Sequence, residues 1–239
     1  MKKYKKILSF GCSFTEGGGL NSPIYHNYLN GIINKNDTTP SQEHNEYATA
    51  NAYPAQLANM LGCEFNNCAT SRSSNGLILK TLYEQTCNIE DGSDILITVQ
   101  TTLLSRIMLY LDKSKEFLTM NNFENLSKEA REYYKLYLKN FFNEDIEFKK
   151  LMQSKDVYTA YLQKKNFDVV WLMYDTDNTD IQSTTTLMFD NTDLSQFIAK
   201  ERLRISDLKD FPVNDTHFSV EGHCVIADRI FKHLEKNYD

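Results

Sequence analysis

Cysteine is scarce in this chain, and the spacing of the few that occur excludes the structures that cysteine usually builds. There are five in 239 residues, an odd number, and none form a Cys-x-x-Cys pair. We therefore expect neither a disulfide framework nor a zinc or other metal site. Reduced and mostly buried thiols are typical of a cytoplasmic protein, and that is the location we predict.

Long apolar runs, an excess of positive charge and phosphate-binding glycine motifs are also absent. No stretch approaches the roughly 20 apolar residues of a membrane span, and the apolar run after the first lysines is too short for a secretory signal. The net charge of −6 argues against a nucleic-acid partner. Neither a P-loop nor a Gly-x-Gly-x-x-Gly motif occurs, so no nucleotide cofactor is expected.

What the sequence does contain is an alternation of strand-like and helix-like segments. No repeat, linker or change in composition divides them, so we expect a single domain over residues 1–239. The alternation predicts the α/β class, with a parallel central sheet and helices on both faces. Strands are predicted at 5–10, 64–67, 94–100, 167–174 and, more briefly, 203–205, and helices at 52–61, 76–87 and 220–236.

Two segments are longer than the connections that such a fold needs. Residues 17–51 are polar and irregular, and a loop insertion of this length either walls a substrate pocket or covers the surface without a role. Residues 113–165 have a charged helical pattern with a break near 140–143, which predicts a helical insertion. In the loop the candidate substrate contacts are Tyr25, His26, His44 and Tyr47.

The most informative stretch is the short apolar run that ends at Gly11 and is followed closely by Ser13. The run predicts a buried strand, and Gly11 permits a sharp turn where that strand ends. Ser13 would then lie at the carboxyl end of the strand, where open α/β sheets bind their ligands. It is a candidate nucleophile that needs an adjacent base, and its neighbour Cys12 is interpreted as a small filler at the strand end.

The base is sought near the other end of the chain, just before the last predicted helix. Asp215 and His217 are two residues apart there, so on an extended segment both side chains point to one side. A carboxylate in that place can hold an imidazole in the tautomer that accepts a proton from serine. The alternative interpretation is that Ser13 and His217 are an ordinary turn residue and an ordinary loop residue.

Two stretches of the chain resemble the first and the last sequence block of the SGNH (GDSL-type) hydrolase family. They are Gly11-Cys12-Ser13-Phe14-Thr15 and Asp215-Thr216-His217-Phe218-Ser219, with Gly222-His223 following. The resemblance implies a three-layer α/β/α flavodoxin-like sandwich in which Ser13 is the nucleophile, His217 the base and Asp215 the residue that orients it. The family more often has its aspartate three residues before the histidine, where this chain has Asn214, so Asn214 as a neutral orienter stays open.

The resemblance also implies which groups would bind the oxyanion of the reaction. These are the backbone N–H groups of Ser13 and Arg72, although the family usually has glycine at the second position. Thr102 takes the place of the family's oxyanion asparagine, and its hydroxyl can donate one hydrogen bond. Asn75 is a further candidate donor, with the N-cap of the next helix as its alternative role. Arg106 is either a site for a substrate anion or part of a salt bridge on a helix surface.

The function implied by the resemblance is that of a serine esterase that needs no metal and no cofactor. It would hydrolyse an acyl ester of a small molecule or a carbohydrate, acetyl esters included, through an acyl-enzyme. Two alternatives stay open. One is a carbohydrate O-acetyltransferase that uses the same residues. The other is a binding module with a decayed site, which is suggested by Thr102 in place of the family's oxyanion asparagine. The oligomeric state does not follow from the sequence.

Overall fold

The computed structural model describes residues 2–20, 41–111, 116–120, 127–174, 186–189, 217–218 and 220–238. The strands within these ranges are β1 (Lys6–Phe10), β2 (Glu64–Asn67), β3 (Ile95–Gln100), β4 (Ile107–Leu111), β5 (Glu116–Met120), β6 (Asp168–Tyr174) and β7 (Thr186–Phe189). Five of them form one sheet in the order β2-β1-β3-β6-β7, in which every neighbouring pair is parallel. The other two, β4 and β5, pair antiparallel with each other.

The helices within the same ranges connect and cover the strands. They are α1 (Ser13–Glu16), α2 (Gln42–Asn51), α3 (Tyr53–Leu61), α4 (Asn75–Thr86), α5 (Lys128–Asn140), α6 (Glu144–Lys164) and α7 (Val220–Asn237). The end of α3 has the capping predicted from the sequence, because Gly62 follows it with a left-handed φ of 64°. The predicted break after residue 140 is also present, with Asn143 accepting a hydrogen bond from the Ile146 N–H as the N-cap of α6.

Helices cover both faces of the central sheet. Successive residues of a strand point to opposite faces, so Ile7 and Leu96 contact α3 and α7, whereas Leu8 and Ile97 contact α4 and α6. Each face therefore contributes to its own buried cluster. The fold is the three-layer α/β/α sandwich with a central parallel sheet that the sequence predicted.

The order of the strands decides where a ligand can bind. With β6 and β7 as its fourth and fifth members, the sheet has the 2-1-3-4-5 order of flavodoxin-like folds. The chain reverses its direction of winding between β1 and β3, and a crevice opens beyond the carboxyl ends of the strands at such a point. Ser13 follows β1 and Thr102 follows β3, so both lie at this edge of the sheet.

Three segments differ from their expectation. Residues 42–51 form a helix within the predicted loop, because Ser41 and His44 cap it reciprocally through side chain and backbone. Residues 107–111, before the predicted helical insertion, and 116–120, within it, pair as antiparallel strands. The sequence did not predict them because short apolar runs do not distinguish strand from helix. The fifth strand of the sheet is Thr186–Phe189, and the predicted one near 203–205 lies outside the described residues.

No helix in the described ranges is both long enough and apolar enough to cross a membrane.

Candidate active site

The carboxyl end of β1 is packed too tightly for a larger residue at Gly11. A Cβ added to Gly11 would collide with the side chain of Thr15 and lie 3.2 Å from Cβ of Gln100. The chain turns there into the single turn of α1, which ends at Gly17 with a left-handed φ of 90°. Ser13 begins this turn and is 7% exposed, which leaves its hydroxyl close to the surface of the crevice.

His217 lies directly against Ser13. Its Nε2 is 2.7 Å from the serine Oγ, which is the contact expected from the sequence. The ring of Phe14 packs against His217 and against Phe218, with ring centroids 4.9 and 5.0 Å apart. A neutral imidazole with its proton on Nδ1 can accept the serine proton through Nε2. The arrangement is thus that of a serine hydroxyl in contact with an imidazole nitrogen that can accept its proton.

The residue that would orient His217 is not placed. Asp215 and its alternative Asn214 lie outside the described residues, so the choice between them stays a prediction.

A buried polar chain beneath the site fixes α1 on the sheet. The hydroxyl of Tyr53 donates to Thr15 Oγ1 at 3.4 Å, and Thr15 donates in turn to the side-chain oxygen of Gln100 at the end of β3. Burial raises the pKa of Tyr53 far above its ordinary value, so the phenol remains a donor at all physiological pH. Because each link is buried, the position of Ser13 relative to β3 is fixed.

The end of β2 and the loop after it, which carries Arg72, are both tied to α1. The Asn67 amide donates to the carbonyl of Thr15 at 2.9 Å, and the hydroxyl of Ser71 donates to the carboxylate of Glu16. Arg72 itself has a φ of 67°, in the left-handed region that favours glycine. This is the position at which the resemblance expects a glycine, so the backbone here has a conformation that glycine favours although the residue differs.

Thr102 is held by two side chains. The amide of Asn75 accepts from the Thr102 N–H at 2.8 Å and donates to the Thr102 carbonyl at 3.0 Å. Nη1 of Arg106 donates to Thr102 Oγ1 at 2.8 Å. The N-cap of α4 is Ser74 and not Asn75, because the Ser74 hydroxyl accepts from the Leu77 N–H; the N-cap expectation for Asn75 is wrong.

Arg106 does not have the structural role expected of it either. It lies in the turn before β4 and not on a helix, and among the described residues its recorded partner is the Thr102 hydroxyl and no carboxylate. The expected helix-surface salt bridge is therefore not formed in this part of the chain.

Gly18 is a site residue that the sequence reasoning missed. Its N–H donates to the Ser13 carbonyl at 2.6 Å. A Cβ built on it would lie 2.9 Å from Ser13 Cβ and 3.0 Å from His217 Cδ2. Any larger residue there would force the serine or the histidine to move. The run of glycines at 17–19 is the one signal in the sequence that could have found it.

His223, part of the last block, lies fully buried behind the site. Its Nδ1 accepts from the backbone N–H of Tyr53 at 3.2 Å, and its Nε2 has no hydrogen-bond partner within the described part of the chain. Burial, with a smaller contribution from the charge of His217, lowers the pKa of His223 to about 3. The imidazole is therefore neutral at physiological pH and acts as an acceptor at the start of α3.

The other candidates of the sequence analysis lie away from the serine–histidine contact or outside the described residues. Nδ1 of His44 accepts from the Ser41 N–H and caps α2, where Tyr47 also lies. Tyr25 and His26 fall outside the described ranges. Cys12 is fully buried before α1, as a small filler would be. No group of three potential metal ligands occurs in the ranges that the structure describes.

Comparison with known proteins finds likeness at the level of structure. No protein-family model and no curated protein matches the chain. A lipolytic protein of the G-D-S-L family from Desulfitobacterium hafniense matches at 13% identity over 96% of this chain and 99% of its own, with a TM-score of 0.36. A family two carbohydrate esterase from Clostridium thermocellum, solved with cellohexaose, matches at 12% identity over 99% of this chain and 65% of its own, with a TM-score of 0.46.

An acetyl xylan esterase from Butyrivibrio proteoclasticus matches equally loosely, at 12% identity over 99% of this chain and 65% of its own, with a TM-score of 0.47. The chain thus spans about two thirds of the length of the two carbohydrate esterases. The names of these structures agree with the family that the sequence blocks resemble. At TM-scores below 0.5 they carry no argument about activity, which must come from the chain's own residues.

Proposed function

We propose that the chain is a serine esterase of the SGNH type, with Ser13 as nucleophile and His217 as general base. The observation that carries the proposal is the 2.7 Å contact between His217 Nε2 and Ser13 Oγ. A serine hydroxyl is a weak nucleophile unless a base accepts its proton, and this distance lies within the range for such a transfer. Asp215 is proposed as the residue that holds the imidazole in the required tautomer.

The reaction is acyl transfer in two halves. Ser13 Oγ forms a bond to the ester carbonyl carbon while its proton passes to His217 Nε2. The bond to the alcohol then breaks, and the alkoxide takes that proton from the imidazolium to leave as the alcohol. In the second half a water molecule gives its proton to His217 and attacks the acyl carbon, and Ser13 takes the proton back as the acid leaves.

Negative charge develops on the carbonyl oxygen in both halves and needs hydrogen-bond donors that are already in place. We assign this role to the backbone N–H groups of Ser13 and Arg72, together with Thr102 or Asn75. The left-handed backbone of Arg72 supports the first part of this assignment. The substrate is an acyl ester of a small molecule or a carbohydrate, and acetyl is one option for the acyl group.

Reaction with a fluorophosphonate tests the proposal, because that reagent labels only an activated serine. We expect one label on the wild-type chain, found by mass spectrometry on the peptide with Ser13, and hydrolysis of at least one member of a short-chain ester panel. The matched control is Ser93→Ala, since Ser93 is exposed and bonds only to its neighbour Asp91 among the described residues. It should leave labelling and turnover unchanged.

Variants of the three proposed catalytic residues should differ in a defined order. Ser13→Ala and His217→Ala should each lower kcat by roughly four orders of magnitude or more, since residues that act as a unit are not additive. Asp215→Ala should cost less, because the imidazole remains present without its orienter. Turnover that is unchanged in Ser13→Ala would overturn the mechanism, whereas a wild-type chain with neither label nor turnover would leave the binding module.

A further inference from the structure

Thr102 is fixed more firmly than a loop residue after a strand requires. Both of its backbone polar groups bond to a single side chain, since the Asn75 amide accepts from its N–H at 2.8 Å and donates to its carbonyl at 3.0 Å. Asn75 begins α4, whose N-cap Ser74 is buried. A rigid helix end therefore sets the backbone position of Thr102.

The side chain of Thr102 is fixed separately. A hydroxyl has one proton to donate and two positions at which it can accept. Nη1 of Arg106, which can only donate, fills one of the accepting positions at 2.8 Å. The threonine proton must then point away from Arg106. A charged donor also strengthens the hydrogen bond that the hydroxyl itself gives, because neighbouring hydrogen bonds polarise one another.

The pairing of the strands places this hydroxyl at the same edge as the nucleophile. β1 and β3 are parallel neighbours in which Phe10 pairs with Val99. Ser13 and Thr102 each lie three residues beyond this pair. Both residues thus follow adjacent strands into the crevice at which the winding reverses.

We propose that Arg106 and Asn75 are positioning residues that make the Thr102 hydroxyl the side-chain donor to the oxyanion, an inference that rests on the esterase function proposed above. Asn75 sets the backbone and Arg106 sets the direction of the hydroxyl proton. Threonine is too short to act as the family's asparagine would, and these two contacts compensate for its length by fixing where it donates.

Arg106 has a competing role that the experiment must separate. It lines a surface cavity of about 310 Å³ together with Lys150 and Glu147, next to Asn75. In that cavity its guanidinium could bind an anionic part of the substrate. An anion-binding residue acts on substrate affinity, whereas a positioning residue acts on the chemical step through Thr102.

A double-mutant cycle on a neutral short-chain ester distinguishes the two roles. Thr102→Val should lower kcat roughly 100-fold to 1000-fold with KM little changed, as loss of one oxyanion donor does. Arg106→Gln should lower kcat by up to about 100-fold through misplacement of that donor. The double variant should be no slower than Thr102→Val alone, and Arg106→Lys should recover part of the loss, because it restores a charged donor.

The matched control is Arg131→Gln, because Arg131 is an exposed arginine of α5 and should leave kcat and KM unchanged. Thermal unfolding of each variant checks that it is folded. Independent effects of Thr102→Val and Arg106→Gln that multiply in the double variant, or a rise in KM alone for Arg106→Gln, would overturn the inference. If the wild-type chain hydrolyses esters and Thr102→Val is as fast, the inference fails while the esterase stands. If the wild type is inactive and unlabelled, both fail.

Discussion

Gly18 gives the sharpest test of the site, because one added methyl group acts on both members of the serine–histidine pair. The residue lies between Ser13 and His217 and donates its N–H to the Ser13 carbonyl at 2.6 Å. An alanine Cβ would lie 2.9 Å from Ser13 Cβ and 3.0 Å from His217 Cδ2. Neither neighbour is the free end of a flexible chain, so one of them must move.

The size of the effect follows from these distances. Carbon atoms are in optimal contact at about 3.5 to 4.0 Å, so Gly18→Ala has to open roughly 0.5 to 1 Å between the serine and the histidine. A displacement near 1 Å between reacting groups can lower the rate about 100-fold. Overpacking of a tight site also costs about 1 to 3 kcal/mol of the free energy of unfolding. We therefore expect a loss of kcat/KM that is far larger than the loss of stability would explain.

The assay compares Gly18→Ala with Gly62→Ala, a glycine at the opposite edge of the sheet. Gly62 has a φ of 64° but no atom within 4 Å of an added Cβ, so alanine there costs about 1 to 2 kcal/mol of backbone strain and no contact. Gly62→Ala should lower the unfolding midpoint and leave kcat/KM at the wild-type value. Wild-type activity in Gly18→Ala, with the chain folded, would refute the packing argument.

Two further predictions concern stability. Lys165, the C-cap of α6, donates to the carbonyls of Thr86, Cys87 and Ile89 at 3.2, 2.7 and 2.9 Å, so Lys165→Met should cost about 2 kcal/mol in denaturant unfolding. Lys164→Met, at the exposed last residue of α6, should cost almost nothing. The pKa of His223 is lowered to about 3 in the folded state, so the unfolded chain binds the proton first as pH falls. The free energy of unfolding therefore decreases below about pH 6.5, by at most about 1.4 kcal/mol per pH unit. In His223→Gln the unfolding midpoint should fall less steeply between pH 6.5 and 3, and a slope equal to that of the wild type would contradict the assignment.

The sheet could be predicted from the sequence because buried parallel strands are short apolar runs with turn residues at their ends. The run at 94–100 contains β3 (Ile95–Gln100), and the run at 167–174 contains β6 (Asp168–Tyr174). The last helix, predicted over 220–236, extends one residue further. For the strands, the short length of the run and the turn residues beside it decide the element, whereas the last helix has its apolar residues at helical spacing.

Contacts between residues that are far apart in the sequence could not be predicted in the same way. The residues of β4 and β5 fit a helix as well as a strand, and only the pairing of the two segments with each other decides between them. Asn75 had two predicted roles, oxyanion donor or N-cap, and the sequence could not show that its amide bonds to the backbone of Thr102, 27 positions away. Gly18 belongs to a run of three glycines, and only the packing of the folded chain shows which of the three lies between Ser13 and His217.

The two departures from the family's pattern argue for a site that still functions. Arg72 holds a left-handed φ of 67°, which costs a residue with a side chain roughly 1 to 2 kcal/mol relative to glycine. Bonds to Thr15 from Asn67, the last residue of β2, and to Glu16 from Ser71, the residue before Arg72, keep it there. Strain of this kind persists where the surroundings over-determine it, and it concentrates at functional sites. A decayed module would have no need of that backbone, nor of two side chains that fix Thr102, so the conformation at these two positions supports the esterase over the binding module.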